Sequence, residues 1–353
     1  MTTYAMYTTM HRQPDDLRHI LATGWEGAAA AADILERANR VFIVGIGTSY
    51  HAAQVGEALL RAAGSDAHAV GSFDFVAYPP ALRPGDAVIV QAHRGTKHFS
   101  ARAVERAREA GIPCLAITGR DSRLADDGAD VVLRTTPQET SAAYTTSHLG
   151  AMAVLAQIAT LLGERRAVAE TAGWRAALDA LPAQIEEVLG REGEVRPIAE
   201  AIVAANRRVY CVGAGPNAVT ATEAALKARE TAYITIDGLG IEQFLHGPIV
   251  TLDAADRVIA VAVDGPGLPR TAEICNVIRL IGAPLWIIGR GVASAPDATV
   301  FALPTLPEPL SPLLAVVPVQ LLAYYCALAK GTNPDTFRRD DPRYLAALSS
   351  LQL

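Results

Sequence analysis

The chain carries the same strand-and-turn pattern twice. Arg40-Val-Phe-Ile-Val-Gly-Ile-Gly-Thr48 and Arg208-Val-Tyr-Cys-Val-Gly-Ala-Gly-Pro216 agree position by position at an offset of 168 residues. Two further stretches repeat in the same order: Asp86-Ala-Val-Ile-Val with Asp256-Arg-Val-Ile-Ala, and the apolar runs that link Gly111 to Arg120 and Gly282 to Arg290. Ordered self-similarity at a nearly constant offset is the signature of a duplication. Each copy reads as strand, Gly-x-Gly turn, helix, strand, helix, strand. That alternation specifies a parallel sheet with helices on both faces. The expected fold class is therefore α/β, with two tandem three-layer domains.

Length agrees, because 353 residues exceed what one core usually holds, about 250–300. The expected boundaries are a helical lead-in over 1–35, a first domain over 36–165, a helical linker over 166–195, a second domain over 196–332 and a tail over 333–353. In the lead-in, Pro14 sits at a helix start and Leu17, Ile20 and Leu21 follow at helical spacing. At 50% hydrophobic and 19% charged residues the chain lies far from the disordered class. A net charge of -6 gives no general reason to bind nucleic acid. Cys114, Cys211, Cys275 and Cys326 stand singly, without disulfide or zinc-ligand spacing, so neither a disulfide framework nor a metal site is expected. Residues 1–16 lack the apolar run of a signal peptide, and no uninterrupted apolar span of about 18 residues occurs. A cytoplasmic protein with reduced thiols and no membrane partner is expected.

The Gly-x-Gly turns invite a dinucleotide reading, but Gly45-Ile-Gly47 lacks the third glycine and no acidic residue follows at the required place. No cofactor is expected. Thr48 and Ser49 open the helix after the first strand, and Thr145, Thr146 and Ser147 open another. Helix N-termini present N–H groups and a favourable dipole to an anion, although Ser and Thr also serve there as plain caps. Arg94 and Lys97 stand in a strand-end loop, where this fold class binds ligands. Glu223, Lys227 and Glu230, three and four residues apart, share one helix face; read alone, Glu223 with Lys227 is an ordinary surface pair.

In order and spacing these residues resemble the sugar isomerase (SIS) family, in particular the isomerase half of glucosamine-6-phosphate synthase and its free-standing relatives. The resemblance runs from Met10 and Gln13-Pro14 through Gly47-Thr-Ser-Tyr-His51, Glu139 with Thr145-Thr-Ser147, Ala225-Leu-Lys227 with Glu230 and Tyr233, and His246-Gly-Pro248, to Gln320-Leu-Leu-Ala-Tyr324 and Lys330-Gly-Thr332. It implies two tandem SIS domains of flavodoxin-like form and a homodimer. It also implies a sugar phosphate bound at the carboxyl ends of the first domain's strands, against Gly47, Thr48, Ser49 and Thr145 to Ser147. Glu230 matches the base that moves a proton between carbons 1 and 2 of the open-chain sugar, with Lys227 orienting it. His246 matches the histidine that helps open the ring, commonly from the neighbouring subunit.

Three departures stand out. Where most relatives carry Ser-x-Ser-Gly-x-Thr, this chain reads Gln91-Ala-His-Arg-Gly-Thr-Lys97. Either His93, Arg94, Gly95, Thr96 and Lys97 bind phosphate by charge and loop amides, or the substrate has changed. The acid three residues before the histidine is Gln243, with Glu242 displaced by one. The tail lysine has no counterpart, Arg338 and Arg339 being the nearest cations besides Arg343, and an arginine cannot form an imine. With no N-terminal cysteine and no room for a glutaminase domain, the expected activity is isomerisation or deamination of an aminosugar or ketose phosphate of the glucosamine-6-phosphate/fructose-6-phosphate type. The alternative is a non-catalytic phosphosugar sensor.

Overall fold

The computed structural model describes residues 3–122, 124 and 128–351. Its first half runs α1 (Ala5–His11), α2 (Gln13–Thr23), α3 (Trp25–Leu35), β1 (Arg40–Gly45), α4 (Thr48–Ala62), β2 (Ala67–Gly71), α5 (Ser72–Ala77), β3 (Asp86–Ala92), α6 (His98–Glu109), β4 (Cys114–Thr118), β5 (Val131–Arg134) and α7 (Thr146–Arg165). The helices α8 (Trp174–Gly190) and α9 (Glu192–Ala205) follow. Then come β6 (Val209–Gly213), α10 (Asn217–Ala232), β7 (Ile236–Gly240), α11 (Ile241–Leu245), β8 (Arg257–Ala262), α12 (Leu268–Ile281), β9 (Leu285–Gly289), β10 (Thr299–Phe301), α13 (Pro312–Lys330) and α14 (Pro342–Ser349).

Two compact units divide these elements. One comprises Arg12–Glu139, Tyr144–Pro182 and the chain from Ala346; the other comprises the chain up to His11, Thr140–Ala143 and Ala183–Leu345. The first unit holds a sheet of order β2-β1-β3-β4-β5, the second a sheet of order β7-β6-β8-β9-β10, and every pairing is parallel. The duplication read from sequence is thus a duplication of topology. The α/β class and the two tandem sheets are as expected.

Strands buried on both faces read as continuous apolar runs. In the first unit Phe42, Val44, Val88, Val90 and Cys114 pack with Phe75 of α5 and Ala103, Val104 and Ala107 of α6. Ile43 points the other way: a Cβ on Gly56 of α4 would lie 3.3 Å from it and 2.6 Å from Leu155 of α7. Ile43 is wholly buried, which stabilises by roughly 1.5–3 kcal/mol. The second unit repeats the pattern with Tyr210, Val212, Val258 and Ala260 against Phe244 of α11 and Ile274, Cys275 and Ile278 of α12.

One repeated polar pair is a structural clip. Arg40 at the start of β1 reaches Asp86 at the start of β3 (Nη2–Oδ2 2.6 Å), and Arg208 reaches Asp256 at 3.2 Å. Burial would raise the Asp86 carboxyl, but the Arg40 guanidinium and the Arg83 backbone N–H outweigh it and hold the group below its ordinary range. In the second unit Asp335 caps α1, accepting from the Ala5 N–H (2.7 Å) and the Met6 N–H (2.9 Å).

Two segments, α7 and Glu308–Lys330, are long and apolar enough to cross a membrane by length and composition. Neither is an uninterrupted apolar run, since polar residues break the first and prolines and Gln320 the second. Their most apolar windows are 89% and 83% buried inside the structure, as core helices are. All four cysteines are free and buried, and burial pushes their thiols up to about 12.

Candidate functional site

In each sheet the crossovers leave the first-position strand in opposite directions, so the order switches between β1 and β3 and between β6 and β8. Open α/β sheets bind ligands at the carboxyl ends of the strands at such a point. In the first unit the Gly-x-Gly turn brings α4 hard against β1. A Cβ on Gly45 would lie 2.3 Å from the Ser49 carbonyl oxygen, and Gly47 has φ +56. This delivers Thr48 and Ser49 to a crevice also lined by Gln91, His93, Thr118, Thr135, Tyr144, Ser147 and His148. The cavity there measures about 10 Å³, room for about one water.

Two buried side chains in this crevice have no hydrogen-bond partner among the described residues: both amide atoms of Gln91 and both ring nitrogens of His93 lack one. Unpaired buried polar groups are costly and call for an explanation. Burial pushes the His93 imidazole below its ordinary range; Arg94 and Arg12 add to the effect, and Glu139 and Asp121 oppose it. The ring is therefore neutral near pH 7, with one donor and one acceptor nitrogen. It stands edge-on to Tyr144, centroids 5.5 Å apart. Gln91 and His93 are two residues apart at a strand end and so share a face; that spacing was the signal by which Gln91 was open to discovery from sequence.

The loop after β3 is shaped by Gly95. Its φ is +71, and a Cβ there would lie 2.4 Å from Ser122 Oγ and 2.6 Å from Leu124 Cβ. Arg94 lies over the Tyr144 ring at 5.3 Å and donates to the Glu139 carbonyl oxygen at 3.2 Å. Thr96 is exposed, and Lys97 is the residue before α6.

The start of α7 differs from the simplest expectation. The buried Glu139 carboxylate accepts from the Thr145 N–H (3.0 Å), the Ser147 N–H (2.8 Å), the Thr145 hydroxyl (3.1 Å) and the Ser147 hydroxyl (2.5 Å). Thr146 Oγ1 donates to Asp16 at 2.8 Å. A carboxylate of the chain itself already holds this helix N-terminus, a role for Glu139 that sequence reasoning missed.

The second unit holds the other predicted group. On α10, Lys227 Nζ lies 2.6 Å from Glu230 Oε2 and 3.3 Å from Glu223 Oε1. Lys227 and Glu223 are buried and Glu230 keeps 11% side-chain exposure. The surface pair of the simplest reading is in fact a buried triad, because α13 and the sheet cover α10. Burial alone would depress the lysine, but Glu223 and Glu230 outweigh it and hold the ammonium above the usual lysine range. The triad thus sets an ammonium between two carboxyl groups.

His246 is mostly exposed, with a side chain 79% accessible. It stands where α11 ends, ahead of Gly247 at φ +140, and its Nε2 lies 3.4 Å from Glu242 Oε2. The displaced acid Glu242 therefore still reaches the histidine, while Arg270 binds its carboxylate at 2.6 Å. In the tail, Arg338 lies over the rings of Tyr233 (4.9 Å) and Tyr344 (4.0 Å), and Arg339 is exposed. The structure brings Glu223, Lys227 and Glu230 together on one helix and Thr48, Ser49, His93 and Ser147 together in one crevice.

Residues 34–161 match the SIS domain family. Over 97% of its length the chain is 28% identical to a glutamine–fructose-6-phosphate aminotransferase (isomerizing) from Pyrococcus horikoshii and 30% identical to one from Gloeobacter violaceus. It spans little more than half of those relatives, 56% and 58%. Among solved structures, the C-terminal domain of glucosamine-fructose-6-phosphate aminotransferase from Francisella tularensis superposes with a TM-score of 0.86 at 18% identity, covering 95% of this chain and 98% of that one. Tagatose-6-phosphate ketose/aldose isomerase from Escherichia coli (0.77, 20% identity, 94% and 95% covered) and glucosamine-6-phosphate deaminase from Thermotoga maritima (0.74, 18%, 94% and 97%) share the fold. The first half thus carries a match to the SIS domain, and the second half repeats its strand order.

Proposed function

We propose that the protein is a phosphosugar isomerase or deaminase acting on an aminosugar or ketose phosphate of the glucosamine-6-phosphate/fructose-6-phosphate type. The buried triad carries this reading. Three charges taken out of water cost several kcal/mol each before pairing, and Glu230 alone among them keeps an accessible edge. Lys227, 2.6 Å from Glu230 Oε2, places a positive charge beside the proposed proton acceptor. The carboxylate takes the proton from carbon 2 of the open-chain sugar as the carbonyl oxygen is protonated, giving an enediol. The proton then returns to carbon 1 as the second hydroxyl becomes a carbonyl.

In the first crevice, Gly47, Thr48, Ser49 and the His93–Lys97 loop bind the phosphate, with Arg94 and Lys97 supplying charge. His246, exposed and paired with Glu242, opens the sugar ring and serves the neighbouring subunit of a homodimer. Arg338 and Arg339 are the tail's contribution. Buried, unpaired thiols suit a reducing, cytoplasmic compartment. Relatives named for isomerisation and deamination of sugar phosphates support the class.

The test is incubation of the purified protein with glucosamine 6-phosphate, and with fructose 6-phosphate plus ammonia, while product is measured. Turnover that Glu230→Gln abolishes is the expected result, and turnover retained in that variant sinks the assignment of the base. The sensor reading draws on one observation, the near-closed first crevice with Thr145 and Ser147 already held by Glu139. Binding of both sugars without turnover of either decides for it.

A further inference from the structure

The two strand-end crevices carry opposite charge at equivalent positions. Register fixes the equivalence: Val44 of β1 pairs with Val90 of β3, and Val212 of β6 with Ala260 of β8. Two residues beyond each strand, Arg94 therefore corresponds to Asp264, and Gly95 to Gly265. Lys97 corresponds to Gly267. The cationic loop of the first unit is matched in the second by a loop with an acid and no cation of its own.

A second carboxylate enters that loop. Glu308 lies in the segment before α13, as Glu139 lies before α7. Glu139 caps its helix, whereas α13 begins with Pro312, which has no N–H to offer. Ser311 gives its N–H and hydroxyl to the Glu308 carbonyl oxygen instead, at 3.0 and 2.7 Å. The Glu308 side chain reaches across to the glycines. A Cβ on Gly265 would lie 2.4 Å from its Cδ and 2.7 and 2.8 Å from its oxygens. The corresponding distances to Oε1 are 3.5 Å from Gly215 and 3.7 Å from Gly267. Turns after two different strands thus converge on one carboxylate, as they would on a bound anion. At the same strand ends a cavity of about 350 Å³ is lined by Asp264 of this loop and by Arg290, Thr305 and Ser311 among others, a size typical of small-molecule sites, about 300–1,000 Å³. Asp264 already neutralises Arg290 there.

We propose that Glu308 is a built-in anion that occupies the second crevice and excludes phosphate-bearing ligands from it, so that anion specificity belongs to the first crevice alone. Like charge in so confined a place costs several kcal/mol, and Glu308 also fills the space over Gly265. The contrast between crevices rests on the proposed function, which makes the first an anion site; the occupancy of the second by Glu308 does not.

Equilibrium dialysis with radiolabelled inorganic phosphate tests this on the unaltered chain, on Glu308→Ala and Glu308→Gln, and on Glu308→Ala combined with Arg94→Ala and Lys97→Ala. The expected result is that Glu308→Ala binds one equivalent more than the unaltered chain and keeps it when Arg94 and Lys97 are gone. Glu308→Gln, which preserves shape and removes charge, is expected to gain at least about tenfold in affinity at the second crevice, and it decides the matter if the alanine variant does not fold. An unaltered chain that binds no phosphate, with a gain in Glu308→Ala, overturns the reading of the first crevice and leaves this inference standing. If both Glu308 variants keep the native circular dichroism spectrum and bind no more phosphate than the parent, the inference is overturned.

Discussion

Lys227 sits without solvent exposure between two carboxylates, and its surroundings turn what helix spacing presents as a surface pair into a cluster with high stakes. Removing its charge leaves Glu223 and Glu230 facing each other in the interior. Lys227→Met is expected to destabilise the fold by about 3–5 kcal/mol, read as a lowered urea midpoint. Adding Glu223→Gln and Glu230→Gln is expected to restore most of that loss, since a neutral cluster carries no unpaired charge. The spacing of the three residues was legible in the sequence, and their burial was not. Helix α10 is covered by both α13 and the sheet, so it shows no clear polar face from which depth could be read.

At the scale of the element, the start of α7 shows how one distant residue decides what a helix terminus is for. Thr145 to Ser147 were readable as a helix opening, and α7 does begin at Thr146. Their donors face Glu139, six to eight residues earlier in the chain, because the segment folds back on itself. Glu139→Ala strands these groups and is expected to cost about 1–2 kcal/mol, in the range of a lost cap, measured by thermal or denaturant unfolding. Glu139→Gln keeps one acceptor and is expected to lose less. The loop after β3 was likewise legible as cationic and glycine-centred. The isolation of His93 and Gln91 was not, since hydrogen bonds that are absent leave no mark on local sequence.

At the scale of the whole molecule, the proposed homodimer makes a prediction that needs no further structure. If His246 serves the neighbouring subunit's Glu230, a mixed dimer of Glu230→Gln and His246→Gln chains contains one intact site and one doubly altered site. Random mixing of the two inactive variants is then expected to recover about a quarter of the parent activity, as two-fold symmetry dictates. Mixtures that stay inactive, with exchange verified by differently tagged chains, count against a shared site. The duplication, the parallel α/β class and the order of the elements are legible in the residues alone, because apolar periodicity and glycine turns are local and each strand's burial is written in its own residues. Which carboxylate faces which helix or loop emerges only once the chain is folded: Glu139 on α7, Glu230 on Lys227 and Glu308 on Gly265. Charge placement depends on desolvation and on partners from other elements, and neither is encoded at the position of the charge itself.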